Sequence, residues 1–207
     1  MDNTWHKAQK WELDWHGNCA NSLNEELKQL VYADKMGLTF TPNNKTPYNI
    51  NMKGKSVLDI GGGAYSLLLK ANNFKSAFVV DPLLKDHPEW VKQRYLSKQI
   101  YPVYCQGEMI DEFKPKFEIF DEIWIYNVLE HVEDPERVLL NARMFSKIIR
   151  LFEWIDTPSN IGHPQSLTEN ILNTWLDGKG KVEVINKNGA VGKCYFGVFV
   201  GDHYEKI

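Results

Sequence analysis

Over residues 4–16 and 22–36 apolar side chains recur every three to four positions, which predicts two amphipathic helices. In the second, Leu23, Leu27, Leu30, Val31 and Asp34 fall on one face. Residues 39–55 break the pattern with Pro42, Pro47 and several asparagines, and predict a polar loop. From residue 56 onward short apolar runs take over, and they predict strands at 56–60, 77–81, 101–105, 120–126 and 148–154. Helices are expected between the first of these strands and over 135–146, where Pro135 takes a favoured first-turn place. A helix over 168–177, capped by Thr168, leads to strands at 181–186 and 194–201. Lys187-Asn188-Gly189 between those strands reads as a hairpin turn. The alternation predicts an α/β fold, with a mostly parallel sheet, helices on both faces and a C-terminal antiparallel hairpin. Residues 1–45 are expected to form an N-terminal helical cap and residues 46–207 the sheet domain.

The first strand runs from Val57 through Asp59 into Gly61-Gly62-Gly63. Such a turn lets a ligand approach the backbone, because no Cβ stands in the way. It is expected at the carboxyl end of a parallel strand, where open α/β sheets bind ligands. The dinucleotide fingerprint would need a third glycine where Ser66 stands, and no phosphate-binding P-loop is present. Asp59, just before the turn, would repel phosphate and suits a cationic or hydroxyl-bearing ligand. A merely tight strand–helix turn is the alternative. The next strand ends in Asp81-Pro82, 20 residues after Gly61. An aspartate there can accept hydrogen bonds from both ribose hydroxyls, or it caps a turn before the proline.

The fourth strand runs into Asn127-Val128-Leu129-Glu130-His131-Val132-Glu133-Asp134-Pro135. With Val57–Gly63, Val79–Pro82, Gln106-Gly107-Glu108 and Phe120–Pro135 in this order, the chain resembles a class I S-adenosylmethionine-dependent methyltransferase. The resemblance covers about residues 55–140, and the later strands extend it. It departs at Tyr65, where the commoner motif has glycine. It implies a Rossmann-like seven-stranded sheet of order 3-2-1-4-5-7-6 and S-adenosylmethionine as cofactor. It also implies cofactor contacts at Asp59, Gly61, Gly62, Gly63, Asp81 and Pro82. Gln106, Gly107, Glu108 and Met109 would face the adenine, and the backbone at Asn127 and Val128 would hold the methionine ammonium.

Composition narrows the class. The 207 residues carry a net charge of −3, with 43% apolar and 25% charged residues, as in one globular domain. That charge gives no general attraction to nucleic acid. Local basic stretches at 70–75 and 92–98 leave a small patch open. Cys19, Cys105 and Cys194 are far apart and form no C-x-x-C pair, so neither a disulfide framework nor a metal site is expected. The start lacks an apolar signal core, and no run approaches the roughly 18 apolar residues of a membrane span. A cytoplasmic location is the expectation, with no membrane partner; the oligomeric state is open.

The catalytic candidates are His163 and His131. His163 lies in a loop after the fifth strand, and an imidazole near neutrality can take a hydroxyl proton. Otherwise it orders the loop. A His-Pro-x-Ser-Leu-Thr stretch similar to 163–168 occurs in small-molecule methyltransferases, especially those of sugar or polysaccharide synthesis. His131 opens the next helix as a base or as a structural residue. Trp11 and Trp15, four residues apart, share a helix face and either pack in the core or line an acceptor pocket. The expected activity is methyl transfer to a small acceptor, a sugar or related hydroxyl. The alternatives are an RNA or protein methyltransferase, or a non-catalytic S-adenosylmethionine-binding partner subunit.

Overall fold

The computed structural model describes residues 4–19, 23–41, 49–113 and 119–204. Helices α1 (Thr4–Cys19) and α2 (Leu23–Lys35) precede the sheet. The strands are β1 (Ile50–Asn51), β2 (Ser56–Ile60), β3 (Ala71–Asn72), β4 (Ser76–Val80), β5 (Ile100–Val103), β6 (Phe120–Tyr126), β7 (Ser146–Trp154), β8 (Lys181–Lys187) and β9 (Ala190–Val200). Helices α3 (Glu89–Leu96), α4 (Pro135–Phe145) and α5 (Glu169–Leu176) connect them. The main sheet has the order β5-β4-β2-β6-β7-β9-β8. In this sheet β9 runs opposite to the other six strands, pairing antiparallel with β7 and β8. Numbered by the seven predicted strands, this is the 3-2-1-4-5-7-6 order expected of the Rossmann-like fold.

The central strands are buried on both faces, as parallel strands must be when helices cover the sheet. β2 is buried throughout, and β6 is buried from Glu122 to Tyr126. One face packs against α4 and α5 through Val138, Leu139, Ala142, Leu172 and Leu176. The other holds Trp124, Tyr95 and Phe152 together with Tyr32 and Ala33 of α2 and Met36 just beyond it. β2 pairs with β4 on one side and β6 on the other, so the chain order reverses there. A crevice opens at such a reversal, beyond the carboxyl ends of the strands.

Several expectations need correction. The helix foreseen after the glycine turn is a single 3-10 turn, Leu67–Lys70, followed by β3. Leu67, Leu68 and Leu69 are all buried, so the segment has no polar face with which to run on as a surface helix. β1 and β3 form a separate two-stranded parallel sheet that was not foreseen. Two-residue strands are too short to carry a periodic signal. In α2 the buried stripe runs through Val31, Tyr32, Ala33 and Met36, the last just past its end, while Asp34 is exposed. Tyr32 sets that rotation by stacking on Phe152 with ring centroids 4.3 Å apart. The proposed domain boundary at 45/46 lies within 42–48, outside the described residues. Cys105 and Cys194 are buried and unbridged; the side chain of Cys19 lies outside the described residues.

Candidate active site

The glycine turn leaves β2 at its carboxyl end. Gly61 (φ 73°) and Gly63 (φ 54°) take left-handed conformations that favour glycine. A Cβ on Gly61 would come within 2.5 Å of the Val128 side chain, and one on Gly62 within 2.7 Å of Val79. The amide of Gly61 donates to the Val80 carbonyl at 2.7 Å. That of Gly63 donates to Asp81 Oδ2 at 3.0 Å. Tyr95, on α3, donates to the Gly63 carbonyl at 2.7 Å and accepts from the Ser66 amide at 3.0 Å. The turn is therefore held from every side by the protein itself.

Asp59 is fully buried beneath the turn and lines neither of the two clefts described below. Its Oδ2 accepts from Ser66 Oγ and, at 2.7 Å, from the Tyr126 hydroxyl. Its Oδ1 is buried without a hydrogen-bond partner among the described residues. Burial, and then the charge of Asp81, push its pKa up to about 7. Asp81 is also buried, and its Oδ1 accepts from the Leu83 amide at 2.8 Å, capping a 3-10 turn. Burial, and then Glu12, push its pKa up to about 7. Each carboxylate oxygen of Asp81 retains a second lone pair for a ligand hydroxyl.

Asp81, Pro82, Gln106, Gly107, Glu108 and Val128 line one cleft together. Glu108 also ties this rim to α4, since its Oε1 accepts from the amides of Glu133 at 2.9 Å and Asp134 at 3.1 Å. Met109 lines a neighbouring open groove instead. Helix α1 lies over the cleft with Trp5, Gln9 and Glu12, leaving about 40 Å³. Gln9 donates to the His131 carbonyl at 3.4 Å.

The second cleft, about 380 Å³, lies between the glycine turn and helices α1 and α2. Aromatic side chains Trp11, Tyr32, Tyr65, Tyr126 and Trp154 line it, with Glu12, Glu25, Glu130 and Lys28 among them. Asn127 belongs to its wall and has φ 55°. The next two amides are held from β7: Val128 and Leu129 both donate to the buried Glu153 carboxylate, at 3.1 Å and 3.2 Å to Oε1. Burial, and then Glu130, raise the Glu153 pKa well above its ordinary value.

His131 and His163 meet in this cleft, with ring centroids 4.7 Å apart. His131 Nδ1 lies 2.9 Å from the Gly162 carbonyl oxygen. A carbonyl only accepts, so Nδ1 carries the proton and Nε2 the lone pair. That Nε2 is buried without a hydrogen-bond partner among the described residues. For His163 the order is reversed. Asn160 Oδ1 accepts from the amides of Gly162 at 2.9 Å and His163 at 3.1 Å. Its Nδ2 therefore donates to His163 Nδ1, 3.3 Å away, and His163 Nε2 carries the proton. His131 therefore presents an unprotonated Nε2 and His163 a protonated one. Burial is the first cause that lowers both histidines to about 4, so both are neutral at neutral pH.

Trp11 is exposed at 43% yet packs on the histidine loop. A Cβ on Gly162 would stand 2.7 Å from its ring, and its edge faces His163 at 5.9 Å. Trp15 belongs to α1, and its side chain lies outside the described residues.

Sequence reasoning missed Glu153, Tyr126, Tyr95 and Glu12. A glutamate inside the apolar run of β7 was the one available signal, for Glu153. No helix among the described residues is long and apolar enough to cross a membrane.

No family model and no curated relative matches the chain. Its fold is similar to solved structures. The N-methyltransferase NodS from Bradyrhizobium japonicum, solved with S-adenosyl-L-homocysteine, matches with a TM-score of 0.57 and 16% identity, over 98% of this chain and 100% of that one. The YcgJ protein from Bacillus subtilis gives 0.56 and 13% identity, over 74% of this chain and 93% of its own. A SAM-dependent methyltransferase from Aquifex aeolicus gives 0.51 and 16% identity, over 86% and 98%.

Proposed function

We propose that the chain binds S-adenosylmethionine at the glycine turn and transfers its methyl group to a hydroxyl of a small acceptor, a sugar or related metabolite. The observation that carries this reading is Asp81, whose carboxylate bonds the Gly63 amide while lining the cleft with Pro82, Gln106 and Glu108. The same fold in NodS and in the Aquifex aeolicus methyltransferase supports it.

The side chains suit that cofactor. The half-buried Glu12 and the buried Asp59, Asp81, Glu130 and Glu153 all have raised pKa values, desolvation being the first cause. A ligand with a positive charge relieves that accumulation of acid groups. The space on the nucleoside side, about 40 Å³, is far below the roughly 300 Å³ or more of ordinary ligand sites. α1 must therefore lift for the adenosine end to enter.

S-adenosylmethionine supplies an electrophilic methyl on a sulfonium, with a neutral thioether as leaving group. The chain's part is alignment and exclusion of water. Asp81 accepts from the ribose hydroxyls, and Gln106 faces the base. The Asn127 carbonyl, presented by the Glu153-held turn, meets the ammonium. The larger cleft takes the acceptor, with aromatic faces for a ring. His131, through Nε2, is the nearest proton acceptor for its hydroxyl; His163 stands beside it. Mass-spectrometric assay with S-adenosylmethionine and a panel of sugars, nucleotide sugars and small phenols tests the reading. A methylated product is expected from one acceptor class; tight NADH binding without S-adenosylmethionine binding would overturn it.

A further inference from the structure

We propose that Glu130, His131 and His163 form a binding site for a divalent transition-metal cation at the acceptor end of the larger cleft. Each of the three offers one potential ligand atom, and these atoms all lie within 4.8 Å of one another. Glu130 Oε1 is 3.6 Å from Nε2 of His131 and 3.6 Å from Nε2 of His163. That is too long for a hydrogen bond. It is close to the roughly 3.4 Å that separates two ligands each about 2.1 Å from one tetrahedral ion. The three side chains converge without bonding one another.

A second observation points the same way. His131 Nε2 is buried and has no hydrogen-bond partner among the described residues. Its tautomer is fixed by Nδ1–H donating to the Gly162 carbonyl at 2.9 Å. A metal-binding imidazole is commonly oriented in this manner, with the other ring nitrogen donating to a carbonyl or carboxylate. The loop bearing His163 is held against the Glu130 segment: the Gln165 amide donates to the Glu130 carbonyl at 3.2 Å, and its side chain donates to the Glu133 carbonyl at 3.0 Å. Loading His163 moves its proton from Nε2 to Nδ1 and gives up the 3.3 Å contact from Asn160, an exposed bond.

Two imidazoles and one carboxylate favour zinc, manganese, iron or cobalt over magnesium and calcium, which prefer oxygen ligands. Three protein ligands leave a position open to the cleft, where a hydroxyl can bind and acidify. A cation there takes up the His131 lone pair, so the histidines then hold the acceptor through the ion. That role rests on the methyl-transfer reading; the site itself does not.

The test is titration of the untagged, chelator-treated full chain with Co²⁺ alone, read by visible absorbance and calorimetry without methyl donor. One Co²⁺ per chain is expected, displaced by Zn²⁺ and not by excess Mg²⁺. His163→Ala and Glu130→Gln, each checked for folding by circular dichroism, should weaken Co²⁺ binding by more than about tenfold. Asn160→Asp keeps the acceptor for the loop amides and adds one for Nδ1–H, so it should tighten binding. Absence of stoichiometric Co²⁺ binding, equal affinity in folded His163→Ala, or looser binding in Asn160→Asp would overturn the site. Any of these results leaves S-adenosylmethionine binding, read separately, untouched.

Discussion

His131 donates through Nδ1 to the carbonyl oxygen of Gly162 at 2.9 Å, and this bond decides which histidine nitrogen faces the cleft. Gly162 serves twice, because its bare Cα also lets Trp11 of α1 rest on it. Gly162→Ala places a methyl 2.7 Å from that ring. Overpacking of this kind costs about 1–3 kcal/mol. The expected result is a lowered melting temperature and reduced turnover, with donor affinity close to that of the wild type. Thermal melts and steady-state kinetics check it.

The two histidines should separate kinetically. If His131 accepts the acceptor's proton, His131→Gln should cut turnover by about 10²–10⁴. His163→Asn, at a partly exposed ring, should cut it less. Donor affinity should stay unchanged in both, as measured by calorimetry on chains shown to be folded. Equal turnover in His131→Gln and wild type removes the proton-transfer role.

Stability should depend on pH through Asp59 and Asp81. Both titrate at about 7 in the folded chain, against about 4 when unfolded. The folded state then binds more protons between those values. Their contribution is fully present below about pH 4 and is lost as pH rises through about 7. The facing groups are Ser66, Tyr126 and Asp81 for Asp59, and Glu12 for Asp81. The ligand-free melting temperature should therefore fall from about pH 5 to about pH 8. Asp59→Asn should flatten that slope. Binding of a cationic donor should strengthen over the same range.

Helix α1 should govern exchange of the cofactor. It covers the nucleoside cleft with Trp5, Gln9 and Glu12, yet neither main apolar cluster contains any of its described side chains. A chain lacking residues 1–20 should remain folded and bind and release S-adenosylmethionine faster, while turnover falls because Trp11 is gone. Stopped-flow fluorescence measures both rates. Unchanged rates in the truncated chain mean that α1 is not the cover.

The sheet was legible because buried parallel strands leave continuous apolar runs, as in Ala77–Val80 and Ile123–Tyr126. The closing hairpin was legible from Asn188-Gly189. The glycine turn and Asp81 could be aligned by spacing alone. What escaped were pairings between distant positions. Tyr126 reaches back 67 residues to Asp59, and Glu153 reaches back 25 to the Val128 amide. Neither leaves a local pattern. The buried face of α2 was misread because Tyr32 outweighs Leu27 and Leu30 once Phe152 is beneath it. The meeting of His131 with His163, 32 positions apart, follows from the loop after β7 folding back over the end of β6.

The central claim is that a methyl donor sits on the glycine turn and is gripped by Asp81. Calorimetric titration of S-adenosylmethionine into the wild-type chain and into Asp81→Asn tests it most directly. One donor per wild-type chain is expected. Asp81→Asn should bind on the order of 10–100-fold more weakly, from the loss of one charge-assisted hydrogen bond. No binding by the wild type, or equal affinity in folded Asp81→Asn, would contradict the account.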